Sequence, residues 1–132
     1  MTAAARKPHV LVVEDDPSVR GLLHTLLAAE GYEVATAADG LAGLLKASAT
    51  RPALILLDLM MPDLGGLRVL EELRGDETMA GIPVVVVTGK AEAVPALRTR
   101  LGDDAVFLKP FGVDDLLAKV ARATGGPRQD DS

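Results

Sequence analysis

Cysteine is absent from this 132-residue sequence, and aromatic residues are limited to Tyr32, Phe107 and Phe111. Without cysteine there is no disulfide, no thiol nucleophile and no Cys-based metal centre. With so few aromatics the core must be aliphatic, built from Leu, Val and Ala. Positive charge is also short. The net charge is −5 and no basic stripe is present, so direct binding to DNA or RNA is not expected. No apolar run reaches membrane-spanning length. Residues 1–7 lack the hydrophobic centre of a signal peptide, so a cytoplasmic location without membrane insertion is expected. What remains is ordinary for a globular protein: 48% hydrophobic and 25% charged residues, in a length that suits one domain with one core.

The apolar residues fall into short blocks. Val10-Leu11-Val12-Val13, Leu54-Ile55-Leu56-Leu57, Val84-Val85-Val86-Val87 and Val106-Phe107-Leu108 are continuous runs, the pattern of parallel strands buried on both faces. Strands are expected over His9–Val13, 32–36, 53–57, from Val84, and over 105–108. Between them the apolar spacing becomes helical. Pro17 suits a first helical turn, and Val19, Leu22, Leu23, Leu26 and Leu27 follow before Gly31 ends the helix. Asp39 is placed to cap a second helix, broken at Arg51-Pro52. A third begins near Gly66. The fourth, over 93–101, contains Pro95, which is comfortable only in a first turn, so this helix starts late. The fifth covers Val113–Thr124 and stops at Gly125-Gly126-Pro127. Five strand–helix repeats predict an α/β fold, a doubly wound five-stranded parallel sheet with five helices on its two faces. Right-handed crossovers favour the flavodoxin-like order 2-1-3-4-5. The domain is expected over 9–125, with a mobile leader over 1–8 and a polar tail over 126–132.

Chemistry-bearing residues stand at the carboxyl ends of these runs, where open α/β sheets bind their ligands. Glu14-Asp15-Asp16 follows the first strand, Asp58 the third, Thr88 the fourth and Lys109 the fifth. Mg²⁺ prefers oxygen ligands, commonly one or two carboxylates plus a phosphate. Asp15 and Asp58 can each supply one, and Glu14 can ligate or hold a metal-bound water. Asp58 is also a proper nucleophile for phosphoryl transfer, forming an aspartyl phosphate. Lys109 can neutralise a phosphoryl oxygen, and Thr88 can donate a hydrogen bond to another. Singly, these residues read as helix N-terminal acids, a turn aspartate, a strand-end hydroxyl and a solvated lysine. Their joint placement raises them above that.

In this order and spacing, Val12-Val13-Glu14-Asp15-Asp16, Gly31-Tyr32-Glu33-Val34, Ala37-Ala38-Asp39-Gly40, Leu57-Asp58-Leu59-Met60-Met61-Pro62 with Gly66, Thr88-Gly89 and Lys109-Pro110-Phe111 resemble the response-regulator receiver domains of two-component signalling. The likeness runs from about His9 to Thr124. The chemotaxis member of that family is itself a reference example of the 2-1-3-4-5 order, so this order is not independent of the resemblance. The resemblance implies that Asp58 takes a phosphoryl group from a phosphohistidine on a sensor kinase or phosphotransfer protein. It implies that Glu14 and Asp15 form the acidic pair, with Asp15 a direct Mg²⁺ ligand. Met60 would offer its backbone carbonyl to the metal, Thr88 would be the switch hydroxyl, and Lys109 would pair with the phosphoryl group. Lys109-Pro110 would be a cis peptide, which proline makes accessible. Asp16 occupies a variable position and receives no direct role.

Three departures bear on signalling. The family commonly carries Tyr or Phe three residues before the lysine. Val106 stands there, and Phe107 faces the opposite way on a strand, which puts the aromatic half of the family's Thr–aromatic switch in question. Gly65 stands where a small polar residue is usual. Pro95 lies in the fourth helix, part of the family's usual output face with the fifth strand and fifth helix.

The leading functional expectation is a stand-alone phospho-accepting switch, not an enzyme beyond its own phosphoryl transfer and dephosphorylation, whose output is docking to a downstream protein on that face. The alternatives are a phosphorelay intermediate, or a receiver-like interaction module that works without phosphorylation. An aspartate-nucleophile phosphatase typically needs a second acid two residues after the nucleophile, where this sequence has Met60. A nucleotide site would want a Gly-rich loop where Asp15-Asp16-Pro17 stands.

Overall fold

The computed structural model describes residues 7–59 and 65–126. Most of the expected leader and tail, and Met60 with its proposed metal-facing carbonyl, lie outside the described residues. The elements run β1 His9–Val13, α1 Pro17–Ala29, β2 Glu33–Ala37, α2 Gly40–Thr50, β3 Leu54–Asp58, α3 Gly66–Gly75, β4 Val84–Thr88, α4 Val94–Leu101, β5 Val106–Leu108 and α5 Val113–Thr124. The strands form one parallel sheet in the order β2-β1-β3-β4-β5. The expected architecture is therefore present.

Strict alternation along the buried strands divides the core into two layers. Leu11, Val13, Ile55, Leu57, Val84 and Val86 face one side and pack with Ala47 of α2, Val69, Leu70 and Leu73 of α3, and Leu97 of α4. Val10, Val12, Leu54, Leu56, Val85 and Val87 face the other and pack with Leu23 and Leu27 of α1 and Leu116 and Val120 of α5. The continuous apolar runs of β1, β3 and β4 thus have a single cause: these strands are covered on both faces. All five residues of β3 and of β4 are buried, Asp58 and Thr88 included.

Two strands sit one residue later than the sequence pattern suggests. The N–H of Tyr32 donates to Leu27 O and closes the end of α1, leaving the edge strand β2 to begin at Glu33. Pairing of β3 starts at Leu54, so Asp58 becomes its last residue and stands opposite Val87. The expected caps form. Asp39 accepts from Ala42 N at 2.8 Å. Arg51 closes α2 in the left-handed region at φ 49°, immediately before Pro52, which disfavours continued helix in the residue preceding it. Pro95 lies in the first turn of α4, after a 3₁₀ turn over Ala91–Ala93.

The start of α3 depends on two glycines. Gly65 has φ 79° and caps the helix with no side-chain hydrogen bond, so the departure from a small polar residue at this position removes a cap and relaxes the backbone into a region that favours glycine. Gly66 lies flat against the end of β3. A Cβ there would stand 2.4 Å from Leu59 Cα and 2.7 Å from Asp58 O. Gly66→Ala is therefore expected to destabilise the protein by about 1–3 kcal/mol. Gly21→Ala, on α1 where a Cβ meets nothing within 4 Å, is expected to stabilise it by up to about 1 kcal/mol. Urea unfolding of both variants checks this, and an unchanged midpoint for Gly66→Ala would contradict the close approach at Asp58.

Candidate functional site

Strand register brings the sequence-separated residues together. Val13 pairs with Leu57 across β1 and β3, so the next residues along, Glu14 and Asp58, emerge side by side. Thr88 pairs with Leu108, and Lys109 N donates to Thr88 O at 2.8 Å, which sets the lysine at the same sheet end. The Lys109-Pro110 peptide is cis.

Glu14 is 1% exposed, Asp58 2% and Thr88 0%, while Asp15 is half-buried. Glu14, Asp15 and Asp58 each offer a carboxylate oxygen, all within 4.8 Å of one another. The Lys109 ammonium lies 3.1 Å from Glu14 Oε1 and 3.4 Å from Asp58 Oδ2. Asp16 stands apart from this group. Its carboxylate caps α1 by accepting from Ser18 N at 2.8 Å and Val19 N at 3.4 Å, and its own N–H donates to Glu14 Oε2 at 3.2 Å. The helix-N-terminal role therefore belongs to Asp16, leaving Glu14 and Asp15 for the cluster. Thr88 Oγ1 accepts from Lys90 N at 3.1 Å, a contact that leaves the hydroxyl proton available.

Charge within this group is shared unevenly. Burial, reinforced by the hydrogen bond and field of Asp58, pushes Glu14 from an ordinary 4.5 up to about 7. Burial also opposes the Lys109 charge, but its hydrogen bond to Glu14 and the fields of Asp58 and Glu14 outweigh that and hold the ammonium above its ordinary range. Three hard oxygen donors converging from two strand ends suit a hard divalent cation such as Mg²⁺, which would offset the same buried negative charge that Lys109 faces.

Sequence reasoning missed Arg20. Its Nη1 donates to Glu14 O at 2.9 Å and to Asp15 O at 3.1 Å, bracing the acidic turn from one helical turn downstream. The available signal was its position: a cation in the first turns of a helix opposes the macrodipole. Val106 is 2% exposed and packs in the layer of Val94 and Leu97. Phe107 packs in the opposite layer, so it does not take the place of an aromatic at Val106. Arg98 Nη2 donates to Val106 O at 3.3 Å and ties α4 to β5.

Among the described residues, no helix is long and apolar enough to cross a membrane. The family described as "Response regulator receiver domain" matches residues 10–121. The DNA-binding dual master transcriptional regulator RpaA of Synechocystis sp. is 38% identical over 114 residues, covering 86% of this chain and 47% of that protein. The DNA-binding response regulator MtrA of Mycolicibacterium smegmatis is 38% identical over 115 residues, with 86% and 49% covered. The chain thus spans about half the length of these curated relatives. Among solved structures, a CheY-like response regulator receiver domain protein from Methanospirillum hungatei JF-1 superimposes with a TM-score of 0.81 at 30% identity, covering 91% of this chain and 95% of that one. The likeness extends from the first strand into the last helix, well beyond the acidic cluster, and the chain belongs to the response regulator receiver domain family of two-component systems.

Proposed function

We propose that Asp58 accepts a phosphoryl group from a phosphohistidine on a sensor kinase or phosphotransfer protein, in a Mg²⁺-dependent reaction, and that the phosphorylated protein signals by docking to a partner protein. The observation that carries this reading is the single ammonium of Lys109 placed 3.1 Å from Glu14 and 3.4 Å from Asp58 at the carboxyl end of the sheet. A cation there stands ready for the oxygens of an incoming phosphoryl group.

An Asp58 carboxylate oxygen attacks phosphorus, forming a P–O bond as the P–N bond to the donor imidazole breaks. The electron pair of that bond departs with the imidazole, which leaves neutral when its other ring nitrogen carries a proton. Most of the catalysis in such a transfer is positioning and charge neutralisation. Lys109 neutralises one phosphoryl oxygen. Thr88 turns its hydroxyl proton toward another, and the Lys90 N–H that its oxygen accepts keeps the hydroxyl oriented. Glu14, Asp15 and Asp58, with the Met60 backbone carbonyl, would hold Mg²⁺, which when bound supplies positive charge against the phosphoryl oxygens. Hydrolysis of the acyl phosphate by water restores Asp58, so the protein serves as a switch and not as an enzyme acting on other substrates.

The face formed by α4, β5 and α5 is the proposed output surface. Arg98, Phe107, Leu108 and Phe111 line a groove there, and Leu108 is 38% exposed. RpaA and MtrA are named as DNA-binding proteins. These 132 residues carry a net charge of −5, which favours protein docking over direct contact with nucleic acid for this part of such a pathway. Buried Val106 does not weaken the phosphorylation chemistry, because it contributes no group to the acidic cluster.

Asp58→Asn is expected to remain folded and to lose phosphoryl acceptance from a small-molecule phosphodonor, read by intact mass. Acceptance at the parent rate would remove Asp58 as nucleophile. The proton on Glu14 also has a consequence for stability. Its pKa is raised in the folded protein from 4.5 to about 7, so the folded state binds the proton more tightly than the unfolded chain. The contribution is fully present below 4.5 and is lost as pH rises from 4.5 through about 7. Metal-free protein should therefore show a urea midpoint that falls across this window more steeply than that of Glu14→Gln. Parallel pH profiles for the two proteins would contradict the proton assignment.

A further inference from the structure

We infer that Arg20 is a positioning residue for the metal site, a device that holds the β1–α1 turn in its metal-binding shape before any cation arrives. This inference rests on the reading of Glu14, Asp15 and Asp58 as Mg²⁺ ligands.

The acids in this turn are crowded. With carboxylate oxygens of Glu14, Asp15 and Asp58 within 4.8 Å of one another, ionisation drives them apart. Lys109 restrains Glu14 and Asp58 through their side chains, at 3.1 and 3.4 Å. The hold on Asp15 acts through the backbone instead. One guanidinium nitrogen of Arg20 donates to Glu14 O at 2.9 Å and Asp15 O at 3.1 Å, so two successive carbonyls turn toward one cation. That fixes both peptide planes, and through them the directions in which the Glu14 and Asp15 side chains leave the turn. The N–H of Asp16 then points at Glu14 Oε2, 3.2 Å away. Asp16 completes the brace from the other side by capping α1 with its carboxylate.

The placement of Arg20 has no local helical rationale. It lies on α1, which begins at Pro17, and a positive charge so near a helix N-terminus is opposed by the macrodipole. Its two carbonyl contacts offset that opposition. Arg20 does not itself offer a metal ligand. Its effect passes through Glu14 and Asp15, as partners behind metal ligands generally act.

The test compares parent protein, Arg20→Met and Arg20→Lys. Mg²⁺ affinity is measured by titration calorimetry, with thermal melting and amide exchange recorded on the metal-free proteins. Arg20→Met is expected to weaken Mg²⁺ binding by about tenfold or more, with melting little changed and the Asp16 amide exchanging faster. Arg20→Lys, which keeps a cation but with a shorter reach and no guanidinium fork, is expected to fall between parent and Met, and it carries the comparison if Arg20→Met folds poorly. Mg²⁺ affinity in both variants equal to that of a binding parent would overturn the role of Arg20 alone. Absence of Mg²⁺ binding by the parent would overturn the metal-site reading with it.

Discussion

Two carboxylates buried side by side burden a fold unless something neutralises them, and here that something is Lys109. Glu14 and Asp58 are almost fully enclosed at the ends of β1 and β3, and the ammonium that bridges them comes from beyond β5, 95 and 51 residues away in sequence. The Lys109 backbone is held in turn by Thr88 O. The last residues of β3 and β4 and the residue following β1 are therefore tied to the one residue that follows β5. The compensation is incomplete, since Glu14 still tends to keep a proton up to about pH 7. A proton, a lysine and a divalent cation are alternative ways to balance the same buried negative charge. A phosphoryl group on Asp58 would draw Lys109 toward its own oxygens and change the contact that links β5 to β1 and β3. A local covalent event thereby gains a route to the far edge of the sheet.

The fold was largely legible because its strands are buried on both faces. Leu54-Ile55-Leu56-Leu57 and Val84-Val85-Val86-Val87 admit no polar residue until the sheet ends, and the first polar residues after them, Asp58 and Thr88, mark the carboxyl ends of β3 and β4. Legibility falls where this constraint relaxes. The edge strand β2 has a mixed burial pattern, and its start moves by one residue because Tyr32 N is used to close α1. The fourth helix is short and enters through a 3₁₀ turn, so its weak periodicity reflects a real irregularity.

At the site, residue types and strand-end positions singled out Glu14, Asp15, Asp58, Thr88 and Lys109, which the structure brings to one end of the sheet. They were not enough to find Arg20, because a side chain that grips backbone carbonyls leaves no complementary residue type to recognise. Asp16 shows the converse. Its type matched the acidic cluster, the resemblance gave it no direct role, and the hydrogen bonds it accepts from Ser18 N and Val19 N make it a helix cap. Val106 is one of the positions that depart from the family pattern. Its side chain is sealed in the layer beneath α4 while Phe107 faces α1 and α5, so no aromatic side chain occupies the place of Val106.

The central claim is that a phosphoryl group on Asp58 resets this charge network and that the change reaches α4 and α5. An amide NMR spectrum recorded with Mg²⁺, before and after addition of the phosphoryl mimic beryllofluoride, tests it most directly. The account predicts shifts around Asp58, Thr88 and Lys109 that continue into α4, β5 and α5. A spectrum unchanged by beryllofluoride, or changed only at the acidic cluster, would contradict it.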